Sequence, residues 1–309
     1  MNNYVSTGNK TMRHLNVLKR FQDERKLTPI SIQIAPTSRC NLRCSFCSNI
    51  NRKQHESLLL EDIMVFINQM KRLGARTIEW TGGGDPTQYQ FINSCIYYAS
   101  KMGYKQGLIT NGVELIDKVG ETIACLDWIR ISLNALEYVD EIQIPKDYKG
   151  TLGFSYVINK KTNDESIKKI KECAIEYNPK YVRIVPDCQI SAKELNEKNH
   201  FFSEWIAEWG APFFYQAKSF SQPKRCWWGH IKPFLLHDGY VYPCSSVVLN
   251  DTAERSFHEK FRWHRMNQFA SIFGEQAIPF DCKDCTNCVF GAQNSLIESL
   301  IDEEMEDFV

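Results

Sequence analysis

Three cysteines, Cys40, Cys44 and Cys47, fall within eight residues, on a loop that follows the short apolar run from Ile30 to Ala35. Thiolates this close together can each ligate one iron of an iron–sulfur cube. The fourth iron is then left without a protein ligand, and an iron with an open position can bind a small chelating molecule. This spacing points to catalysis more than to electron storage. A zinc loop is the alternative, because cysteines two to four residues apart also ligate zinc. Zinc sites normally close with four ligands, and His55 is the one Cys or His in the 40 residues after Cys47.

A second group stands near the other end: Cys226, Cys244, Cys282, Cys285 and Cys288. Between the first two, Phe234 to Tyr242 reads as a β-hairpin turning at Asp238-Gly239, which would bring Cys226 and Cys244 together. Five thiols can complete a four-thiolate cluster with one left over, and a four-cysteine zinc site is the alternative. Eight of the twelve cysteines belong to these two groups. Cys95, Cys125 and Cys173 lie on predicted helices and read as packing residues.

The chain has 309 residues with 37 basic against 37 acidic side chains, so the total charge favours neither nucleic acid nor an anionic membrane. Residues 1 to 25 are polar without a secretory apolar core, and no apolar run is long enough to span a membrane. A cytoplasmic protein is expected, and in that compartment many cysteines argue for metal ligation over disulfides.

The elements that must position these thiols alternate short β-branched runs with longer amphipathic stretches, the pattern of βα units around a parallel sheet. Strands are predicted near 31–35, 77–80, 106–110, 128–133, 153–158 and 181–185. Helices are predicted over 14–24, 57–73, 88–102, 113–125, 164–177, 192–209 and 293–304, with the weakest helical pattern between 135 and 149. The α/β fold expected is a partial (βα)6 TIM-like barrel over 30–215, after a polar N-terminal extension over 1–29. A small domain of β-hairpin plus helix follows over 216–309. The aromatic-rich stretch 201–230 reads as core and interdomain packing, and the acidic end, Asp302 to Asp307, as a solvated tail.

Chemistry in such barrels sits where strands exit. The second strand exits into Gly82-Gly83-Gly84-Asp85, where glycines let the backbone approach a ligand. The fourth carries Ser132 and Asn134 two residues apart on one face. The sixth carries Arg183 and Val185 and exits at Cys188.

The spacing Cys40-x3-Cys44-x2-Cys47, with Phe46 before the last thiol, resembles the radical S-adenosylmethionine (SAM) superfamily, and the later segments resemble that family's motifs in the same order. The resemblance implies a [4Fe-4S] cluster on Cys40, Cys44 and Cys47 that chelates and reductively cleaves SAM to a 5′-deoxyadenosyl radical. It implies SAM contacts at Phe46, Gly83, Gly84, Asp85, Ser132, Asn134 and Val185, with Asp85 replacing the usual Glu. The C-terminal cysteines resemble the family's short "Twitch" auxiliary domain more than the seven-cysteine "SPASM" form. One auxiliary [4Fe-4S] cluster is implied, on Cys226, Cys244 and two of Cys282, Cys285 and Cys288.

An oxidoreductase acting on a small-molecule substrate is the expected function, with the auxiliary cluster accepting an electron and a flavodoxin or ferredoxin supplying one. Redox-neutral epimerisation with Cys188 as hydrogen donor, peptide or protein maturation, and a non-catalytic electron carrier are the alternatives. The glycine-lined segment argues against the carrier.

Overall fold

The computed structural model describes residues 8–53, 55–223, 225–251 and 256–301. The acidic end expected to be a tail lies outside the described residues.

Seven parallel strands run in chain order: β1 (Ser31–Ile34), β2 (Thr77–Trp80), β3 (Lys105–Thr110), β4 (Trp128–Ser132), β5 (Thr151–Ile158), β6 (Tyr181–Pro186) and β7 (Phe213–Tyr215). The sheet continues past β1 through β8 (Phe234–Leu235), β9 (Tyr240–Tyr242) and β10 (His264–Arg265). β8 pairs parallel with β1, while β9 and β10 pair antiparallel. The sheet is an open arc with β7 and β10 at its edges. The hairpin expected to open a separate small domain therefore extends the barrel sheet.

Helices α1 (Gly8–Thr11) and α2 (Leu15–Glu24) precede β1; α3 (Leu60–Arg72), α4 (Ile92–Lys101) and α5 (Leu115–Val119) connect the first strands. No α-helix joins β4 to β5, where a 3-10 turn over Leu133–Glu137 leads into a loop. Helices α6 (Asp164–Tyr177) and α7 (Ala192–Ala207) flank β6, α8 (Trp228–Ile231) precedes β8, and α9 (Gly291–Glu298) follows the last cysteine.

Local sequence accounts for these elements. α3 buries Ile63, Phe66, Ile67 and Met70, a helical period, with Glu61 and Asp62 in its first turn and Lys71 and Arg72 in its last, as the helix dipole favours. α6 opens on a capping box between Asn163 and Ser166 and stops at Asn178 in the left-handed region. β7 was hidden among the aromatics, and Phe213 packs edge-on against Trp209 with ring centroids 5.3 Å apart.

The N-terminal extension is less polar in effect than expected. α2 buries Val17, Leu18 and Phe21, and Phe21 meets Trp227 edge-on at 5.0 Å. Val17, Phe21 and Trp227 join a second core that contains all five C-terminal cysteines. A larger first core fills the space between the sheet and its outer helices.

Strand register stacks inward-facing residues in rows. Gln33, Glu79, Gly107, Trp128 and Thr151 form one row, and Ile109, Arg130, Gly153 and Tyr181 the next. Ser132, Ser155 and Arg183 form the row nearest the strand exits. A Cβ on Gly107 would strike the Trp128 ring, and one on Gly153 the Tyr181 ring. Glycine here makes room for large side chains inside the barrel.

Candidate functional site

The loop after β1 carries Cys40, Cys44 and Cys47, all half-buried and free of disulfides. It is held by its own backbone and by neighbours. Ser38 donates its amide to the Glu56 carbonyl (2.8 Å), and Arg52 donates Nη1 to Cys47 Sγ (3.3 Å) and Nη2 to the Leu42 carbonyl (3.1 Å). Asn111 Nδ2 lies 3.8 Å from Cys40 Sγ and donates to Asn41 Oδ1 at 2.7 Å. Arg52 was not legible as a site residue, because it stands in no motif.

Burial, then the Asp85 charge, pushes the Cys40 thiol up, and burial, then Cys47 and Cys40, pushes Cys44 up to about 12. Three thiolates so placed repel one another and call for cationic charge. Iron of a cluster supplies such charge, so the donor set fits the group. Among the described residues, no three His, Cys, Asp or Glu side chains are gathered as around a single metal ion.

The glycine turn after β2 packs directly on this loop. Gly84 donates its amide to the Thr37 carbonyl and Asp85 to the Arg39 carbonyl, each at 2.8 Å. A Cβ on Gly84 would meet the main chain of Arg39 and Ser38, and one on Gly83 the His237 ring and the Thr37 carbonyl oxygen. The expectation that glycines here serve approach to a ligand thus gains a second cause, approach to the cysteine loop. The Asp85 carboxylate is buried and committed: it accepts from Thr87 N (3.0 Å), Thr87 Oγ1 (2.8 Å), Thr110 Oγ1 (2.9 Å) and Asn111 N (2.7 Å). Only its main chain is left to face a cofactor.

Asn134 departs from the expected role in the same way. Its Oδ1 accepts from Val157 N (2.7 Å), and its Nδ2 donates to Val157 O (2.9 Å) and Glu137 Oε1 (2.8 Å). The amide ties the exit of β4 to β5. Ser132 is half-buried on the inward face, Val185 is buried, sharing its strand face with Arg183, and Phe46 is half-buried on the cysteine loop.

A cavity of about 780 Å³ occupies the barrel interior. On one side it touches Ser48, Asn49 and Gly82, which adjoin Cys47 and the glycine turn. On the other it touches Ser245, Ser246, Val289 and Phe290, which adjoin Cys244 and Cys288. Cys188 also lines it, and Gln189 donates Nε2 to the Cys47 carbonyl at 2.5 Å, joining the β6 exit to the cysteine loop. Burial pushes the Cys188 thiol up.

The five C-terminal cysteines are buried and together line one small apolar cavity with Trp228, Phe261, Phe280 and Phe290. Long-range pairing gathers them. Cys226 exchanges backbone hydrogen bonds with Phe280 (3.2 and 2.9 Å), and Ser221 N donates to the Cys288 carbonyl at 3.0 Å. Asn294 Oδ1 accepts from Trp227 N (2.8 Å) and Trp228 N (2.9 Å), fixing α9 to the segment after Cys226. Asn250 Nδ2 lies 3.8 Å from Cys285 Sγ, a contact with no sequence signal. Burial raises Cys226 strongly and Cys244 to about 12, while the Cys285 thiol, hydrogen-bonded to Cys288, favours the Cys288 thiolate. Five buried thiols around one space suit a multi-iron cluster in their donor chemistry as the first three do.

Residues 34–185 match the family model described as the Radical SAM superfamily. A curated relative, the S-adenosylmethionine-dependent nucleotide dehydratase of Thermoplasmatales archaeon (strain ISO4-H5), is 29% identical over 117 residues. That match spans 37% of this chain and 41% of the relative, so the chain matches less than half the relative's length. Among solved structures, Streptococcus suis SuiB bound to precursor peptide SuiA has a TM-score of 0.57 at 15% identity, covering 86% of this chain and 73% of that one. Native anSMEcpe with bound AdoMet and Kp18Cys peptide has a TM-score of 0.52 at 16% identity, covering 89% and 84%. At such identities these two speak for the fold. No helix among the described residues is long and apolar enough to cross a membrane. The cysteine loop, the glycine turn and the strands from the end of β1 to β6 all lie inside the segment, just under half of the chain, that is similar to the radical SAM superfamily.

Proposed function

We propose that this chain is a radical SAM oxidoreductase that removes two electrons and two hydrogens from a substrate held in the barrel cavity. The observation that carries this reading is the single cavity of about 780 Å³ whose walls adjoin both cysteine groups. Cys40, Cys44 and Cys47 would hold the first [4Fe-4S] cluster, and Cys226, Cys244 and two of Cys282, Cys285 and Cys288 an auxiliary one. When bound, the first supplies one electron to cleave SAM, and the second offers an acceptor for the electron left on a substrate that has lost a hydrogen atom.

The chain's own residues would bind and exclude. The main chain of Gly83, Gly84 and Asp85 offers carbonyls at the rim beside the cysteine loop, and Ser132 and Val185 face inward from β4 and β6. Phe46 would shield the loop. The surrounding apolar side chains of the second core keep water from the auxiliary thiols. The division into a barrel over 30–215 and an auxiliary segment over 216–309 is part of the same proposal, with the two sharing one sheet.

A second reading is favoured by one observation: Cys188 lines the cavity. A thiol there could return a hydrogen atom to the substrate and make the outcome redox-neutral. The dehydratase name of the curated relative is a further redox-neutral precedent.

The test is anaerobic reconstitution with iron and sulfide analysis, together with the electron paramagnetic resonance signal with and without SAM and 5′-deoxyadenosine formation under dithionite. About eight irons per chain and a SAM-perturbed signal support the oxidative reading. About four irons move the assignment to the redox-neutral one, and no 5′-deoxyadenosine removes both.

A further inference from the structure

The barrel interior carries a charge that the chain as a whole does not. The sequence balances 37 basic against 37 acidic residues, yet the described cavity lining holds Lys10, Arg130, Arg183, Lys218 and Lys232 against Glu79 alone. Glu79 is already engaged by Lys232 Nζ at 2.6 Å and Gln33 Nε2 at 2.9 Å. Lys10 stands by Lys232 and Glu79, while Arg130 on β4, Arg183 on β6 and Lys218 just after β7 converge on one space, three cations with Glu79 the one carboxylate near them in the described lining.

Their bonding is incomplete. Arg183 donates Nη1 to Gln216 Oε1 at 3.1 Å, and Arg130 lies over the Trp128 ring at 5.7 Å. The Nε atoms of both arginines are buried with no hydrogen-bond partner among the described residues. Burial and the nearby Arg130 push Arg183 down to about 9, and burial and the nearby Arg183 push Lys218 down to about 8. Like charges held together in a low-dielectric space oppose one another, and a bound anion relieves both that repulsion and the unmade hydrogen bonds. Two planar guanidinium forks and an ammonium suit the several oxygens of a phosphate.

We propose that Arg130, Arg183 and Lys218 bind the phosphate of a phosphorylated substrate inside the barrel. The proposal rests on the reading that the cavity is the substrate site, and it narrows that substrate to a phosphate ester. Arg183 stands with Ser132 and Ser155 in the row nearest the strand exits and Arg130 in the row beneath it, so the phosphate would lie across these two rows.

The test is calorimetric titration of the reconstituted full chain with inorganic pyrophosphate, with and without saturating SAM. Pyrophosphate binds wild-type protein, and Arg183→Gln and Lys218→Gln each weaken it about tenfold, the loss of one charge-assisted contact. Thermal melts check that each variant is folded, and the half-buried Lys218 keeps the test open should Arg183→Gln unfold. Equal affinity in wild type and variants, tighter binding of citrate than of pyrophosphate, or displacement of pyrophosphate by SAM would each overturn the phosphate site. SAM cleavage is assayed separately on wild type. Cleavage without pyrophosphate binding overturns the phosphate site and leaves the radical reading standing; variant-sensitive binding without cleavage does the reverse.

Discussion

The main-chain amide of Asp85 donates to the carbonyl of Arg39 at 2.8 Å, one residue before Cys40. The glycine turn and the cysteine loop are therefore tied together by main-chain hydrogen bonds, with Asn49 Nδ2 adding one to the Gly82 carbonyl at 3.4 Å. Two groups proposed to meet one ligand are thus set relative to each other by the fold itself.

Gly84→Ala tests that unit. The added Cβ would enter the main chain of Ser38 and Arg39, so the loop must shift. Stability is expected to fall by about 1–3 kcal/mol, the usual cost of overpacking, and SAM cleavage to fall with it. Urea denaturation and 5′-deoxyadenosine yield check both.

The two cysteine groups separate by iron content. Replacing Cys40, Cys44 and Cys47 with Ala should abolish SAM cleavage and leave about four irons per chain. Replacing Cys226 and Cys244 should also leave about four irons, with the SAM-perturbed resonance signal retained. Unchanged cleavage in the first variant would sink the assignment of the first cluster.

Asn134→Ala should act on stability more than on SAM affinity. It strands the Val157 N–H, while the Val157 carbonyl keeps its bond from Asn159 Nδ2 at 3.0 Å, at about 1–3 kcal/mol for the one group left unpaired. A lowered denaturation midpoint with SAM affinity kept within about threefold, under 1 kcal/mol, is the expected result. A large loss of SAM affinity at unchanged stability would restore Asn134 as a ligand-contacting residue.

The Lys232–Glu79 pair sets a pH dependence with a definite sign. Burial, the largest single influence, would raise the Glu79 pKa, but the Lys232 charge and hydrogen bond, with the Arg130 charge and the Gln33 hydrogen bond, together outweigh it and hold the carboxyl below its ordinary value. A depressed folded-state pKa gives stability that is present above the unfolded value and lost as pH falls through the folded one. Lys232→Met removes the cation and strands a buried carboxylate, a loss of about 3–5 kcal/mol near neutral pH. Burial then raises the Glu79 pKa in the variant, so its deficit relative to wild type should shrink as pH falls and Glu79 takes up a proton. Denaturation at a series of pH values between neutrality and about 4 checks the trend, with the ordinary Glu pKa near 4.3 as the reference.

The first cysteine loop, the six βα strands and the capped helices were legible in the sequence because each rests on local information. Cysteine spacing is set along the chain, β-branched runs and helical periods are local patterns, and α6, with its capping box at Asn163, emerged over the same residues as predicted. β7 was hidden because its three residues sit in an aromatic run that suits packing equally well, and only pairing with β6 makes it a strand. The polar extension concealed Phe21 because one helix face can be buried while the average composition stays polar. Side-chain direction was also beyond reach: Asp85 and Asn134 stand where the motifs place them, yet their polar atoms turn to Thr110, Asn111 and Val157.

The sequence by itself determined the α/β barrel and the two thiol groups, because these are written in spacing and periodicity. Only the tertiary structure decided that the C-terminal hairpin extends the barrel sheet at β1, that one cavity runs between both thiol groups, and that Arg130, Arg183 and Lys218 converge inside it. Those relations join residues far apart in the chain. They depend on strand register and on which face each side chain takes, and a one-residue change in register would turn the same residues away from the cavity.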